Sequence, residues 1–374
     1  MKVTRPNRQR TPADFNAHVG GFLRDLAAAQ VSEQKALAYK RAASIVFGLD
    51  RQLPNLVQPN GAVPKMAGIG PSSTRVILEV LETGGSPTVE RLVSESGRQS
   101  DVAKRRGMRE HFLSRAEVLR VLDDSSLDGP SRSDYRGDFQ MHSTWSDGTS
   151  TLVDIVAGCQ ARGYEFAAVT DHSHGLKIAG GMSMTDARRQ WAEIDALNRS
   201  QAGAFRLIKG IEANIGAGGD LDVKDNEAKE CEMVLAAPHS NLRGAEDQTA
   251  RMLRAVRNPH VDVLAHPRGR VFSTRLGVVA RWDAVFAAAA EHNVAIELDG
   301  DPSRQDVDYV LAGKALAAGC VFAVDSDAHT IDQLRYVDTA IAHARLAGIP
   351  PTRILNCWPL DRLMAWLEDR TARV

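Results

Sequence analysis

The chain has 374 residues, 43% of them hydrophobic, and a formal net charge of -1. That length can bury more than one core, which predicts two domains. No stretch approaches the roughly 20 apolar residues of a membrane span, and the first residues lack an apolar core of signal-peptide length. These features exclude a membrane-spanning protein, and we expect a cytoplasmic one.

The charge is divided unevenly along the chain. Residues 1–110 carry 17 Lys and Arg against 10 Asp and Glu, a balance of +7, so the remainder carries -8. A basic front part suits a polyanionic partner, and an acidic rear part suits a cation site. The four cysteines are widely spaced without a CxxC pair, which argues against a disulfide framework and against a thiolate zinc site.

The first elements in the chain are helical. Apolar residues recur at helical spacing over residues 14–48, which predicts two helices. A turn-rich stretch follows, and then Gly68-Ile69-Gly70 precedes an apolar helix. Two glycines allow a tight turn whose backbone N–H groups bind a phosphate at a helix start. An ordinary turn between helices is the alternative.

Residues 14–95 resemble the N-terminal lyase domain of family X DNA polymerases, whose helix-hairpin-helix binds the DNA backbone. This resemblance implies a DNA-binding site at Lys65, Gly68, Gly70 and Ser72. The Schiff-base lysine of that family would fall at Val76, so lyase chemistry is not expected. We expect a helical, helix-hairpin-helix domain over residues 1–110, a linker over 111–134 and a second domain over 135–374.

The second domain alternates strands and helices. Apolar, β-branched runs predict seven strands, near Asp138–Met141, Phe166–Thr170, Arg206–Ile211, Met233–Ala237, Val261–Ala265, Val294–Leu298 and Val321–Val324. Seven strand–helix repeats favour an α/β fold in which a parallel βα barrel, similar to a TIM barrel, is closed or nearly closed. No GxGxxG follows the first strand, which weighs against a nucleotide-binding sheet.

Potential metal ligands recur where these strands end. They are His142, Asp147, His172, Glu212, His239, His266, Asp327 and His329. A parallel barrel gathers the carboxyl ends of its strands on one face, so these side chains can converge. A single such histidine would more often be structural, but eight potential ligands that recur at strand ends predict a multinuclear metal site.

The strand-end motifs, from DFQMHSTWSDG (138–148) through VTDHS (169–173) to VDSDAH (324–329), resemble those of the PHP (polymerase and histidinol phosphatase) domain. The resemblance implies a distorted seven-stranded barrel that hydrolyses phosphoesters with two to three divalent transition-metal ions. Imidazole and carboxylate ligands suit zinc, manganese or iron and do not decide among them. Adjacent dications lower the pKa of a bridging water and neutralise phosphoryl charge.

The same resemblance implies a role for each ligand. Glu212 bridges two ions, of which one is completed by His239 and His266. His142 and Asp327 hold the other ion, and with Glu212 they form the predicted catalytic set. The third ion takes the remaining ligands, Asp147, His172 and His329.

One position departs from the family pattern. The usual His-x-His pair reads Gln140-Met141-His142 here. A carboxamide oxygen is a poorer ligand than imidazole for a transition metal. Reduced occupancy, a changed metal preference and lost catalysis are the alternatives, and we expect an active enzyme because the other seven ligand types of the family are present.

The expected substrate follows from both domains. Arg268 and Arg304 follow ligand-bearing strands and are predicted to bind phosphate, although surface ion pairs are equally consistent with them. No polymerase palm fits between the domains. We expect hydrolysis of DNA phosphoesters: a 3′–5′ exonuclease, a 3′-phosphatase or an abasic-site enzyme of repair. The alternatives are a small-molecule phosphatase, such as one for histidinol phosphate, and a non-catalytic DNA-binding protein; the oligomeric state stays open.

Overall fold

The structure of the protein, a computed structural model, describes residues 14–369. The described chain folds into two units, one that ends at Asp123 and one that starts at Asp124. A short segment of the rear part, Phe272–Arg275, belongs to the first unit. Residues 1–13, which the signal-peptide prediction covers, lie outside the described residues.

The first unit is helical. Its helices are α1 (Phe15–Ala28), α2 (Glu33–Phe47), α3 (Pro71–Thr83), α4 (Pro87–Ser96), α5 (Gln99–Gly107) and α6 (Arg115–Asp123). The side chains of Asp14 and Ser32 accept hydrogen bonds from backbone N–H groups in the first turns of α1 and α2, which fixes where those helices begin. The two helices predicted over residues 14–48 are confirmed. Helix α6 lies inside the segment predicted as a linker, because Val118 and Val121 bury an apolar face there.

The second unit is a parallel barrel. Its strands are β1 (Gly137–Asp138), β2 (Phe166–Val169), β3 (Arg206–Asn214), β4 (Met233–Ala237), β5 (Val263–Leu264), β6 (Ala295–Asp299) and β7 (Phe322–Asp325). They pair in parallel in the order of the sequence. A parallel bridge between Met141 and Ala328 joins the continuations of the first and last strands. All seven predicted strands and the nearly closed α/β barrel are therefore confirmed.

Helices alternate with these strands and cover the barrel. They are α7 (Leu152–Ala161), α8 (Met184–Ser200), α9 (Asp225–Ala228), α10 (Thr249–Val256), α11 (Trp282–Glu291), α12 (Tyr309–Ala317), α13 (Val337–Leu346) and α14 (Leu360–Glu368). Buried strand residues such as Phe139 and Phe166, whose rings stack 5.8 Å apart, share one apolar cluster with Leu363 and Leu367 of α14. Polar side chains, rather than this apolar cluster, lie at the carboxyl ends of the strands.

Two further expectations can be compared with the structure. All four cysteines are free, as the lack of a CxxC pair predicted. Among the described residues, no helix has both the length and the apolar character that crossing a membrane requires.

Candidate metal centre

The eight predicted ligands meet at the carboxyl ends of the strands. Glu212 lies within β3, and the other seven side chains follow β1, β2, β4, β5 and β7 in the loops or strand continuations. Glu212 is 1% exposed and lies at the centre of the cluster. The prediction that strand ends would bring these residues together therefore agrees with their placement, and their roles remain predictions.

Glu212 faces histidines on both of its oxygens. Oε1 lies 2.9 Å from Nε2 of His266 and 3.2 Å from Nε2 of His239. Oε2 lies 2.9 Å from Nδ1 of His172 and 3.5 Å from Nε2 of His142. A carboxylate with imidazoles on both oxygens has the arrangement that a bridging ligand needs.

Two further carboxylates extend the cluster. Asp327 Oδ1 lies 3.2 Å from Nε2 of His142. Asp147 Oδ1 lies 3.4 Å from Nε2 of His329 and 3.6 Å from Nε2 of His172. His172 therefore reaches Asp147 with one ring nitrogen and Glu212 with the other, and it belongs to both halves of the cluster.

The donor set fits divalent cations. In each of two groups of side chains, the possible ligand atoms lie within 4.8 Å of one another. One group is His142, Asp147, His172 and His329, and the other is His172, Glu212 and His239. Within the described part of the chain, the buried Nδ1 atoms of His142 and His266 have no hydrogen-bond partner. Crowded imidazole and carboxylate groups with unpaired atoms are what a borderline transition metal would satisfy.

Electrostatics keep these carboxylates ionised. Burial alone would raise the pKa of Glu212, but His172 and His239 outweigh it through charge and hydrogen bonds, so that pKa lies well below its ordinary value. Burial likewise opposes ionisation of Asp327, and Arg304 and His142 lower its pKa below the usual range. The centre therefore offers ionised carboxylates that can bind a cation.

The backbone at two ligands is unusual. His266 and Asp327 have positive φ values, 24° and 52° respectively. Residues other than glycine seldom adopt this region, and such conformations concentrate at functional sites. Both follow a strand directly, where the chain turns sharply to aim the side chain inward.

Several supporting residues were not identified from the sequence. Asn214 Oδ1 lies 3.1 Å from Nδ1 of His239, which leaves Nε2 directed at Glu212. Gln333 Oε1 accepts from the backbone N–H of His329 at 2.7 Å. Asn214 thus orients the ring of His239, whereas Gln333 holds the backbone at His329. A sequence signal existed only for Asn214, which lies two residues beyond Glu212 on the same strand face.

Asp171 holds the loop after β1. Its carboxylate accepts from Ser143 N at 2.8 Å, from Ser143 Oγ at 2.5 Å, and from the side chains of Ser146 and Gln190. That loop carries Asp147. Asp171 therefore supports the loop of a predicted ligand through hydrogen bonds to Ser143 and Ser146, and it also contacts Gln190 of α8.

Gln140 contacts Glu297 rather than a predicted metal ligand. Its side chain is fully buried, and its amide nitrogen donates to Glu297, at 2.9 Å from Oε2. The same Oε2 accepts from the backbone N–H of His266 at 2.6 Å. In the described chain no hydrogen bond joins the Gln140 amide to any of the eight ligands. The amide therefore supports His266 indirectly, through Glu297.

A second group of buried carboxyls lies at the strand ends. It consists of Asp138, Glu297, Asp299 and Asp325, each 0–1% exposed. Burial, and repulsion by neighbouring carboxylates, raise the pKa values of Glu297, Asp299 and Asp325 well above normal. Burial raises the pKa of Asp138 to about 6. We refer to these four residues as the inner carboxyl group.

The two arginines predicted to bind phosphate differ in their surroundings. Arg268 Nη1 lies 3.0 Å from Asp308 Oδ2, an oxygen that it shares with Arg270, and no ion pair among the described residues joins it to a predicted ligand. Arg304 is 26% exposed at its side chain and lies 3.4 Å from Oδ2 of Asp327, a predicted ligand. Arg304 is therefore the better placed of the two to meet a phosphate at the centre.

The glycine turn of the first unit has the predicted backbone. Gly68 has a φ of 79°, and a Cβ there would come within 2.5 Å of Ile45 Cδ1. Gly70 precedes α3 without a capping side chain, so the first N–H groups of the helix are open to a ligand. Lys65 and Ser72 are exposed beside this turn. The predicted DNA-binding role of these residues stays a prediction.

The chain is similar in sequence to a polymerase/exonuclease and to probable phosphatases. Over 234 residues, 62% of the chain, it is 36% identical to the DNA polymerase/3′-5′ exonuclease PolX of Bacillus subtilis (strain 168), of which the match covers 41%. It is 29% identical to a probable phosphatase of Edwardsiella ictaluri (strain 93-146) and 27% identical to the probable phosphatase YcdX of Shigella dysenteriae serotype 1 (strain Sd197). Each match covers 63% of this chain and 95% of the relative.

Among solved structures, a histidinol phosphate phosphatase from Lactococcus lactis, complexed with zinc, L-histidinol and phosphate, aligns with a TM-score of 0.42 at 16% identity. That alignment covers 56% of this chain and 94% of the other. No family model matches the chain. The chain is thus homologous to PolX and to these phosphatases, which confirms the predicted relationship to PHP-type phosphoester hydrolases. It spans less than half of PolX.

Proposed function

We propose that the protein hydrolyses phosphoester bonds in DNA, at or near 3′ ends, with two to three divalent transition-metal ions held by the eight clustered ligands. The observation that carries the proposal is Glu212, a buried and ionised carboxylate with histidines on both oxygens. Hydrolysis by metal-dependent enzymes of this kind agrees with the phosphatase and exonuclease relatives.

The residues of the centre would have different roles. Glu212, with His239 and His266 on one oxygen and His142 and His172 on the other, would bridge two ions. When bound, the ions supply Lewis-acid chemistry to the phosphate and its attacking water. Arg304 would bind a phosphate oxygen beside Asp327, and its fixed charge would stabilise the negative charge that develops there.

The helical unit supports DNA as the substrate. Its glycine turn offers backbone N–H groups at the start of α3, with the exposed Lys65 and Ser72 nearby. Residues 1–110 carry an excess of seven positive charges, which favours a polyanion. Binding there would be independent of base sequence, because the donors meet only the phosphate backbone.

The direct test compares substrates. Metal-loaded protein is offered DNA with a recessed 3′ end, a 3′-phosphate or an abasic site, beside histidinol phosphate and a chromogenic phosphoester. We expect at least one DNA substrate to be cleaved with a higher kcat/KM than either small molecule. Hydrolysis of the small molecules alone would reject DNA as the substrate.

The glycine turn has its own test. A Cβ on Gly70 would meet no atom within 4 Å, whereas one on Gly68 would be strained and would touch Ile45. Gly70→Val therefore obstructs phosphate approach without disturbing the fold, and it is cleaner than a substitution at Gly68. We expect DNA affinity to fall and its dependence on salt to weaken. Unchanged affinity would reject the hairpin as a DNA site.

A small-molecule phosphatase is the second candidate. It is favoured by the probable phosphatases, of which the match covers 95%, whereas only 41% of PolX is covered. Under this alternative, neither the wild type nor the Gly70→Val variant would prefer the DNA substrates over the small molecules.

A further inference from the structure

The turn after β2 presents an isoleucine to solvent. Residues 174–181 leave the strand after His172 and return at Met182, whose backbone N–H donates to the carbonyl oxygen of His172 at 2.7 Å. Ile178 lies within this turn and is 95% exposed, whereas the next residue, Ala179, is buried. A single exposed apolar residue needs no explanation by itself, so its significance depends on what surrounds it.

The turn is held in place at its base and within its short helix. Asp222 accepts from Ser173 Oγ at 2.6 and 2.8 Å and from Gly175 N at 2.7 Å. The N–H of Gly180, whose φ is 65°, donates to the carbonyl oxygen of Lys177 at 3.2 Å. Because these bonds fix the backbone, Ile178 is presented at a defined place rather than on a free loop.

This turn lies beside the loop that carries a predicted metal ligand. The carbonyl oxygen of Ser146 lies 3.6 Å from the position that a Cβ would occupy on Gly180. Ser146 is flanked by the half-buried Trp145 and by Asp147, which lies 3.6 Å from His172. Ile178 and Trp145 therefore belong to two neighbouring loops, one of which carries the exposed predicted ligand Asp147.

We propose that Ile178 and Trp145 bind the base of the nucleotide whose phosphate occupies the metal centre. This inference rests on the proposed function. An aliphatic side chain and an indole offer apolar faces that suit the flat face of any base, so the contact would tolerate all four. The exposed Lys177 beside Ile178 adds a positive charge for a neighbouring phosphate. A phosphate ester that lacks a base gains nothing from this contact.

The test uses two matched oligonucleotides, one with an ordinary 3′-terminal nucleotide and one whose terminal sugar lacks its base. For the metal-loaded wild type, we expect kcat/KM to be about tenfold higher on the ordinary end. Ile178→Ser should reduce that preference about fivefold, mainly through KM. Val31→Ser, in the α1–α2 turn of the helical unit at 94% exposure, is the matched control and should keep the preference.

The outcomes separate this inference from the proposed function. If both ends are cleaved equally by the wild type, or Ile178→Ser keeps the full preference, the base contact is rejected and DNA hydrolysis stands. If neither oligonucleotide is cleaved while a chromogenic phosphoester is, the proposed function is rejected together with this inference.

Discussion

Two sets of buried carboxyls in the same barrel have opposite character. In the ligand cluster, Glu212 and Asp327 face histidines and Arg304, and their pKa values lie below the ordinary range. In the inner carboxyl group, Glu297 and Asp325 face other acids, backbone N–H groups and the neutral amides of Gln140 and Asn356, and their pKa values lie well above the ordinary range. All four side chains are at most 4% exposed.

The difference shows that partners, rather than burial, decide the function of a buried acid. Burial opposes ionisation in both sets, and only nearby positive or potentially positive groups reverse it. The ligand cluster is therefore an anionic site ready for cations. In the inner carboxyl group burial raises the pKa values, so these acids take up a proton more readily, and backbone groups such as the N–H of Phe139, which bonds to Asp325 at 2.8 Å, pair with them.

The largest expected effect comes from Glu212→Gln. The change removes the charge that four histidines surround, so it should weaken the binding of two ions at once. We expect phosphoesterase activity to fall by more than about a hundredfold, with the fold retained. Activity is measured on a chromogenic phosphoester across a metal titration. Wild-type activity at any metal concentration would refute the central place of Glu212.

Asp138→Asn tests the opposite behaviour of the inner group. Burial raises the folded-state pKa of Asp138 from 3.8 to about 6. The stability linked to its protonated form is therefore fully present below pH 3.8 and is lost as the pH rises through about 6. The loss is on the order of 2–3 kcal/mol.

Asparagine cannot ionise and retains the oxygen that accepts from Gln140 N. Metal-free Asp138→Asn should therefore match the wild type in urea unfolding at pH 4 and exceed it at pH 7. If the variant and the wild type lose the same amount of stability between pH 4 and pH 7, Asp138 does not titrate in this way.

Asp171→Asn should have an intermediate effect. The carboxylate accepts three hydrogen bonds from the Asp147 loop and one from Gln190 of α8, and an amide can accept at only one of its two ends. We expect kcat/KM to fall about tenfold and the ion nearest Asp147 to be lost first on dialysis. Loss of thermal stability with full metal retention would indicate a purely structural role.

Gln140→His should have the smallest effect. The sequence predicted that imidazole would restore the family's paired ligand and improve metal binding, most visibly at limiting metal. Because the Gln140 amide is directed at Glu297, a histidine must change orientation to reach the cluster, so we expect a gain of about two- to threefold at most. Activity at limiting and saturating manganese measures it; no gain at either would show that Gln140 does not limit the centre.

The sequence predicted the barrel and the placement of its ligands because both depend on local pattern. Short apolar runs give strands, and a parallel barrel brings whatever follows them to one face. The same logic could not separate Glu212 from Glu297, since both lie in buried strands.

What distinguishes them is contact across the barrel. Glu297 meets Gln140, which is 157 positions away in the chain, whereas Glu212 meets histidines from four other loops. Such long-range pairing has no signal in one sequence. The helix α6 was missed for a different reason: the polar turn residues after it dominated the composition of residues 111–134.

The most direct test of this account measures bound metal in two variants that each convert one buried glutamate to glutamine. Glu297→Gln mimics a carboxyl that is already protonated, so the variant should retain the wild-type metal content after purification and dialysis. Glu212→Gln removes an ionised ligand and should retain less than half of it. Equal metal content in the two variants, measured by elemental analysis on folded protein, would contradict the assignment of the two carboxyl sets.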